Sequence, residues 1–570
     1  MVTSSDKLQA ILDNIENARK DRGIKTCVER ILDLPHQDYL SEGEALVDKW
    51  TTRLQRGDHC ELPLRPVQAA ILETCQWAAN QRGPIGMVGS VGVGKGKTLA
   101  FLLIPEVFQA KRPLLIVPPS MRDQLESDMY EWSKHYKFRL TYDNVMYYSE
   151  LSRPEATGAL RELAPDLIMC DEAHYFRHSS AARTKRFIRY IQQNPGTRVV
   201  LMSGTLTGST LSDYAHLCEI GLREFSPLPT HDHDIAVWGS VLNADGEPDS
   251  AAWRALGPLN ATASKKRDVA AMRASFRQRF STAPGVISTV TSSCDADLQL
   301  HAEYPSLSEE VRHVMQTLED EWCLPDGTEI IDAPHYHRAL GQLSLGFYYV
   351  WDWPGEPDEE WLHARRTWAS GVRAYLSRYA REGCDSPFLV EQYVREHKQP
   401  APLWRMLQDW DAQRHKDDPP VKAVWLDIAP VLHAVDWAKK QDRAFIWYHS
   451  RAVGDMLEAF GIPTFRDGTE TPDPKKHPVA ALSITVFNKG RNFQAWDNQL
   501  ILEIPTNAAT WQQLLGRTHR QGQTSDLVQA SMYQHTWPLR TKLQKAMARA
   551  RYIQGTQGEP QKLLHAKKTF

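Results

Sequence analysis

The run Gly92-Val93-Gly94-Lys95-Gly96-Lys97-Thr98 packs three glycines, two lysines and a threonine into seven residues. Glycines let backbone N–H groups approach phosphate oxygens, and a helix that opens on Lys-Thr adds positive potential at its N-terminus. In that arrangement Lys97 reaches the β/γ-phosphates of a nucleoside triphosphate and Thr98 offers its hydroxyl to Mg2+. The strict G-x-x-x-x-G-K-[ST] pattern wants glycine where Val91 stands, but the shorter core Gly94, Gly96, Lys97, Thr98 is intact. Phasing on Lys95 fails, because Gly96 follows where Ser or Thr is required. Standing alone, the loop reads first as a phosphate cradle and second as a flexible Gly-rich turn.

A second group is acidic. Asp171-Glu172-Ala173-His174 closes the apolar run DLIMC. Carboxylates at a strand's C-terminal end share the sheet edge with a phosphate loop. There Asp171 would hold the metal and Glu172 would orient and deprotonate an attacking water. In isolation such acids are an ordinary solvated helix N-terminus. A third group, Arg517 and Arg520, lies three residues apart on one helical face. Such a pair can point at a γ-phosphate bound elsewhere and stabilise the transition state, and if carried by a separate lobe it makes hydrolysis depend on closure.

These groups need rigid elements behind them. The runs PIGMVGS, PLLIVPP, DLIMCDE and TRVVLMSGT alternate with helical stretches between about 85 and 205. Short apolar runs bounded by Gly, Pro and Asp fit strands buried on both faces of a parallel sheet. The pattern returns from about 426 in DRAFIWYHS, AALSITVFN and NQLILEIP. The expected fold is α/β: two RecA-like parallel-sheet lobes with a mostly helical insertion between them. The expected boundaries are a helical segment 1–60 (Leu8, Ile11, Leu12, Ile15 at helical spacing), lobe one at 61–225, the insertion at 226–425 and lobe two at 426–570.

Bulk composition limits the classes. The chain has 570 residues, 42% of them hydrophobic, with 18 tryptophans, too apolar for disorder. A net charge of −3 excludes a whole-protein basic field, so any polyanion site must be local. Eight cysteines without a C-x-x-C, no long apolar run and no secretory leader lead to the expectation of a soluble cytoplasmic protein without a disulfide framework (nuclear if eukaryotic, with a bacterial or viral setting favoured by size). HDHD at 231–234 and HYH at 335–337 lack further ligands and read as plain loop residues. Trp351, Trp353, Trp361 and Trp368 read first as packing residues and only second as base-stacking platforms.

Taken together and in this order, the motifs resemble the superfamily-two helicases, and within them the Swi/Snf-like branch with a DEAH box, over roughly 60–225 and 426–535. The most specific segment is Q-x-x-G-R-x-x-R ending in H-R-x-G-Q, from Gln513 through Arg517 and Arg520. The resemblance implies ATP and Mg2+ as cofactors, and adenine recognition by Arg65 and Gln68, with Gln513 also in the ATP site. It implies that His174, Ser203 and Thr205 couple the nucleotide state to grip. It also implies nucleic-acid contacts at Pro118, Ser120, Tyr148, Ser149, Ser450 and Asn492; WYHSR (Tyr448, His449, Ser450) and FNKGRNFQAWD (Gly490, Asn492) are similar to lobe-two motifs, with Arg491 a departure.

Two basic stretches are candidate polyanion contacts: Lys265, Lys266, Arg267, Arg273, Arg277, Arg279, and Arg540, Lys542, Lys545, Arg549, Arg551. No acidic residue lies between Asp526 and Glu559. The leading expectation is an ATP-driven motor on DNA, duplex favoured, with no membrane and no implied oligomer. The alternatives are a strand-separating DNA or RNA helicase, and a remodeller of protein–DNA complexes that meets a protein partner through the insertion.

Overall fold

The computed structural model describes residues 26–57, 62–92, 94–153, 156–179, 181–289, 294, 296–321, 323–327, 330, 333–379, 387–416, 420–488, 492–520 and 522–569. The helix expected around Leu8–Ile15 lies outside these residues. Two compact units emerge: one ends its first stretch at Glu303 and adds Trp437–His449 and the chain from Leu457; the other is Tyr304–Asp436 with Ser450–Met456.

The first unit holds two wholly parallel sheets. Lobe one has β1 (Met87–Ser90), β2 (Pro113–Val117), β3 (Val145–Tyr147), β4 (Leu167–Asp171), β5 (Arg198–Ser203) and β6 (Val286–Ser288), in the order β3-β2-β4-β5-β1-β6. The strand period of two feeds two cores from one set of runs. Met87, Leu115, Val117, Met169 and Val200 enter the core beneath the helices Pro66–Asn80 and Lys97–Phe108. Their neighbours Val88, Leu114, Ile116, Ile168 and Val199 enter the opposite one. That is why the runs are apolar at successive positions rather than alternate ones.

Lobe two has β7 (Asp297–Glu303), β10 (Ala444–Tyr448), β11 (Thr464–Phe465), β12 (Val479–Ser483), β13 (Asn498–Ile501), β14 (Leu527–Tyr533) and β15 (Lys567–Thr569), in the order β11-β12-β10-β13-β14-β7-β15. The two RecA-like lobes are thus present, but their boundaries differ from the expectation. Residues 226–289 belong to lobe one: Trp238, Trp253, Met272, Phe276 and Phe280 fill its second core, and the chain then adds β6 to its sheet. Lobe two begins with β7, before the insertion. Aromatic and arginine-rich composition is shared by 226–289 and the following unit, so it could not separate them.

The second unit carries an antiparallel pair, β8 (Phe347–Trp351) and β9 (Val421–Trp425), and two apolar clusters. One cluster includes Val311, Met315, Leu318, Leu340 and Leu343. The other includes Trp368, Val372, Val390, Val394, Leu403 and Leu407 from the helices Glu359–Tyr379, Pro387–His397 and Ala401–Gln413. Trp361 is buried against Trp351 and Trp353 at ring distances of 5.9 and 5.7 Å, a packing role. Among the described residues no helix is long and apolar enough to cross a membrane, and none groups His, Cys, Asp and Glu as a metal site, HDHD included.

Candidate phosphate-loop site

Sheet order decides what meets the phosphate loop. β4, β5 and β1 are neighbours, with Ser90 level with Ser203 and Asp171 level with Met202. Adjacent strands lie about 4.8 Å apart, so the loop after β1 and the acids after β4 stand about 10 Å apart, with the end of β5 between them. Gly94 and Gly96 adopt φ of 82° and 78°, which a side chain would strain. A Cβ on Gly96 would also collide with the Gln68 amide. Arg65 and Gln68 hold this loop by its backbone: Arg65 donates to Gly94 O (2.8 Å), and the Gln68 amide donates to Gly96 O (3.0 Å) while accepting from Arg65 N (2.8 Å).

Lys97 and Thr98 open the helix Lys97–Phe108. Lys97 Nζ donates to Val91 O (2.9 Å) and stands 3.9 Å from Glu172 Oε1. Glu172 takes φ 53°, a left-handed conformation that costs a non-glycine residue about 1–2 kcal/mol. Backbone strain of this kind clusters at working sites. Ser203 Oγ donates to Glu172 Oε2 (3.0 Å), and His174 Nδ1 lies 3.1 Å from the same oxygen and 3.0 Å from Ser203 Oγ. Thr205 N donates to Ser203 Oγ (3.3 Å). Burial alone would raise the Glu172 carboxyl, but Lys97, His174 and Ser203 hold it well below the usual carboxylate range. Burial pushes Asp171 up to about 6, with Lys97 opposing and Glu172 adding to the shift. Asp171 ends β4 and Thr98 lies in the first turn of the helix Lys97–Phe108, and both carry hard oxygen donors of the kind Mg2+ takes.

The second lobe delivers its arginines from the helix Ala508–Thr518 and the turn after it. A buried polar chain seats that helix on its sheet: Trp447 Nε1 donates to Gln499 Oε1 (2.8 Å), and Gln499 Nε2 donates to Thr518 Oγ1 (3.0 Å). Arg517 is 5% exposed; burial, then Arg520, lower its pKa to about 10 against the attraction of Glu172. Arg520 donates to Asn492 Oδ1, which gives Asn492 a positioning contact on this arginine.

The expected nucleic-acid contacts have differing surroundings. Tyr148 is 1% exposed, stacks on Tyr175 at 4.5 Å and donates to Asp171 O (2.7 Å), so its ring braces the acidic strand from inside the core rather than facing a ligand. Pro118 is buried too, at the end of β2, whereas Ser149 is exposed. Ser120 lies in the 3-10 turn Pro119–Met121, its side chain outside the described ones. Ser450 belongs to the second unit, and Lys489, Gly490 and Arg491 lie outside the described residues.

Five of the eleven basic residues in the two stretches are spent on structure, whereas Lys265, Lys266, Arg267, Lys545 and Arg551 are exposed. Arg279 donates to Ile31 O (2.8 Å) and Leu34 O (2.6 Å), Arg273 to Leu242 O (2.9 Å) and Arg277 to Gln554 O (3.3 Å). Arg540 and Arg549 donate to Gln534 O and Thr506 O. Long cations whose forks are occupied by carbonyls are not free for phosphates.

A cavity of 540 Å³ beside the loop was not foreseen. Gly92 and Lys95 line it from lobe one, Gln512 from the arginine helix and His519 from the cap that follows it, and Glu559 and Lys562 from the segment after the helix Trp537–Gln557. Gln512, not Gln513, ties that segment down: its amide donates to Pro560 O (3.1 Å) and accepts from Lys562 N (2.8 Å). Lys562 Nζ lies 2.9 Å from His519 Nδ1, and burial lowers its pKa to about 8. No protein-family model matches the chain, and no curated protein matches it in sequence.

Proposed function

We propose that this protein is an ATP-hydrolysing nucleic-acid motor, with tracking on duplex DNA as the leading form of motion. One observation carries the reading: Lys97, Glu172, His174 and Ser203 form a connected cluster at the phosphate loop. The glycine loop would cradle the phosphates, with Lys97 turning from Val91 O toward them. That turn would leave Glu172 ionised beside His174 and Ser203, able to take the proton of an attacking water. Mg2+, held by Thr98 and Asp171, would neutralise charge on the β- and γ-phosphates. Arg517 and Arg520 would offset charge building on the transferred group, and since they ride on the other lobe, hydrolysis would be linked to lobe movement.

The track rests on the motif resemblance, because net charge and the mostly occupied arginines do not select it. The test is ATP turnover in one assay against single-stranded DNA, duplex DNA, forks and RNA, with triplex displacement compared with strand displacement. Duplex stimulation with triplex displacement supports the reading. Stimulation by RNA and not by duplex DNA overturns the track. Lys97→Ala and Glu172→Gln should each lower turnover by at least about a hundredfold, the second still binding ATP. Retained turnover in both would remove the site assignment.

A further inference from the structure

Glu559 is 2% exposed, and among the described residues neither carboxylate oxygen has a hydrogen-bond partner. A buried, unpaired carboxyl is costly, and few persist without a role. Its place is specific. A Cβ on Gly92 would lie 3.5 Å from Glu559 Oε1, and Lys562 lines the same cavity. The carboxyl thus sits against the phosphate loop and lines the 540 Å³ cavity together with Gly92 and Lys95, on the side from which the terminal phosphate of a bound nucleotide would meet the loop.

The segment holding it there touches both lobes. The helix Trp537–Gln557 ends on Gly558 in a left-handed turn (φ 81°), which turns the chain toward the loop. On lobe one, Ser90 Oγ (3.4 Å) and Leu206 N (3.3 Å) donate to Gln557 Oε1, and Ser288 Oγ donates to Gln557 O. On lobe two, Gln512 holds Pro560 and Lys562, and β15 joins the sheet beside β7. The segment is no loose arm. Moving Glu559 means loosening bonds across the lobe interface.

We infer that Glu559 is a specificity-determining residue that senses the terminal phosphate, its side chain filling the γ-phosphate side of the loop so that a nucleoside triphosphate enters only when the 557–567 strap is displaced, whereas a diphosphate does not require it. This rests on the proposed nucleotide-binding reading of the loop. It makes strap displacement, and with it the lobe contact at Ser90, Leu206 and Ser288, a consequence of triphosphate binding.

The test is equilibrium binding of AMP-PNP and ADP to wild type, Glu559→Ala and Lys97→Ala, with hydrogen exchange on the wild type. Glu559→Ala removes the obstruction and should tighten AMP-PNP by about tenfold while leaving ADP within about twofold. In wild type, residues 557–567 should exchange faster with AMP-PNP bound than with ADP bound, a readout that needs no variant. An unchanged AMP-PNP to ADP ratio, weaker AMP-PNP binding, or equal exchange in the two complexes overturns the inference. If wild type binds neither nucleotide, the site reading falls and this inference with it. If wild type binds and Lys97→Ala does not, while Glu559→Ala matches wild type, only the inference falls.

Discussion

Ser203 shows how much one hydroxyl can organise. It donates to Glu172 Oε2, lies 3.0 Å from His174 Nδ1 and accepts from Thr205 N, so it joins the acidic box to the end of β5. Its removal should leave Glu172 charged but poorly oriented. Ser203→Ala is therefore expected to lower ATP kcat by about 10- to 100-fold while KM changes by less than about threefold. Steady-state kinetics check this; a rise in KM at constant kcat would mean that Ser203 serves ground-state binding instead. Lys97, Thr98, Asp171 and Glu172 could be named from the sequence because each sits in a short run whose spacing is itself the geometry. Gln512 and Glu559 could not, because their positions depend on the chain returning to the loop after another lobe has been built. The one trace was compositional: Glu559 is the first acid after Asp526. Tyr148 misled for the converse reason, since an aromatic beside a serine in a short run gives no sign of which way its ring faces.

At the scale of elements, the loop after β5 depends on a single carboxylate. Asp213 accepts from Gly208 N (2.7 Å), Ser209 N (3.1 Å) and Thr207 Oγ1 (3.0 Å), pinning the segment that leaves the Ser203-Gly204-Thr205 motif. Asp213→Ala would strand those donors and should cost about 2–3 kcal/mol in chemical denaturation. Against burial, which alone would raise it, those donors hold the Asp213 carboxyl below its ordinary value. A carboxyl lower in the folded than in the unfolded chain gives stability that is present above the unfolded value, about 4, and is lost as pH falls through the folded one. Wild-type stability should fall with acid over that window more steeply than that of Asp213→Asn; parallel curves would show that the group contributes nothing. The strands β1, β2, β4, β5 and β10 were readable because both faces are buried and their runs are mostly apolar, and β13 through the apolar Leu500-Ile501 that follows its Asn498-Gln499. β3 and β6 have three residues each, too short to register, and β7 alternates Leu298, Leu300 and Ala302 with Asp297, Gln299, His301 and Glu303, so it lacks the continuous apolar run that marked the other strands. AALSITVFN read as one strand but splits at Ser483, where Ile484–Phe487 turns helical, since apolarity alone does not distinguish the two.

For the molecule as a whole, the corrected boundaries change which parts can be removed. Deleting 250–281 would take Trp253, Met272, Phe276 and Phe280 from the core of lobe one, and each buried aromatic lost costs about 3–5 kcal/mol. That deletion should abolish folding and nucleotide binding together. The helical excursion after β8 is different. Trp351 pairs with Val421, and Asp352 N donates to Pro420 O (2.7 Å), so the chain leaves and returns at the end of one antiparallel ladder. The helices in between close over their own cluster, from Trp368 to Leu407, separate from the cluster of Val311, Leu340 and Tyr348 nearer the root. Replacing 354–418 with a two-residue Asn-Gly hairpin turn should therefore preserve the β8–β9 pair. The local cost is the exposure of Trp351, which loses Trp361. If the excursion is a partner-binding module, this variant will keep nucleic-acid-stimulated ATP turnover within about threefold of wild type but fail to displace a protein bound on the track, because removing a separate module leaves the barrier of the chemical step unchanged. ATPase and protein-displacement assays run side by side decide it. Loss of turnover with the lobes still folded would instead tie the excursion to the motor itself, whereas retention of both activities would leave it outside the motor cycle.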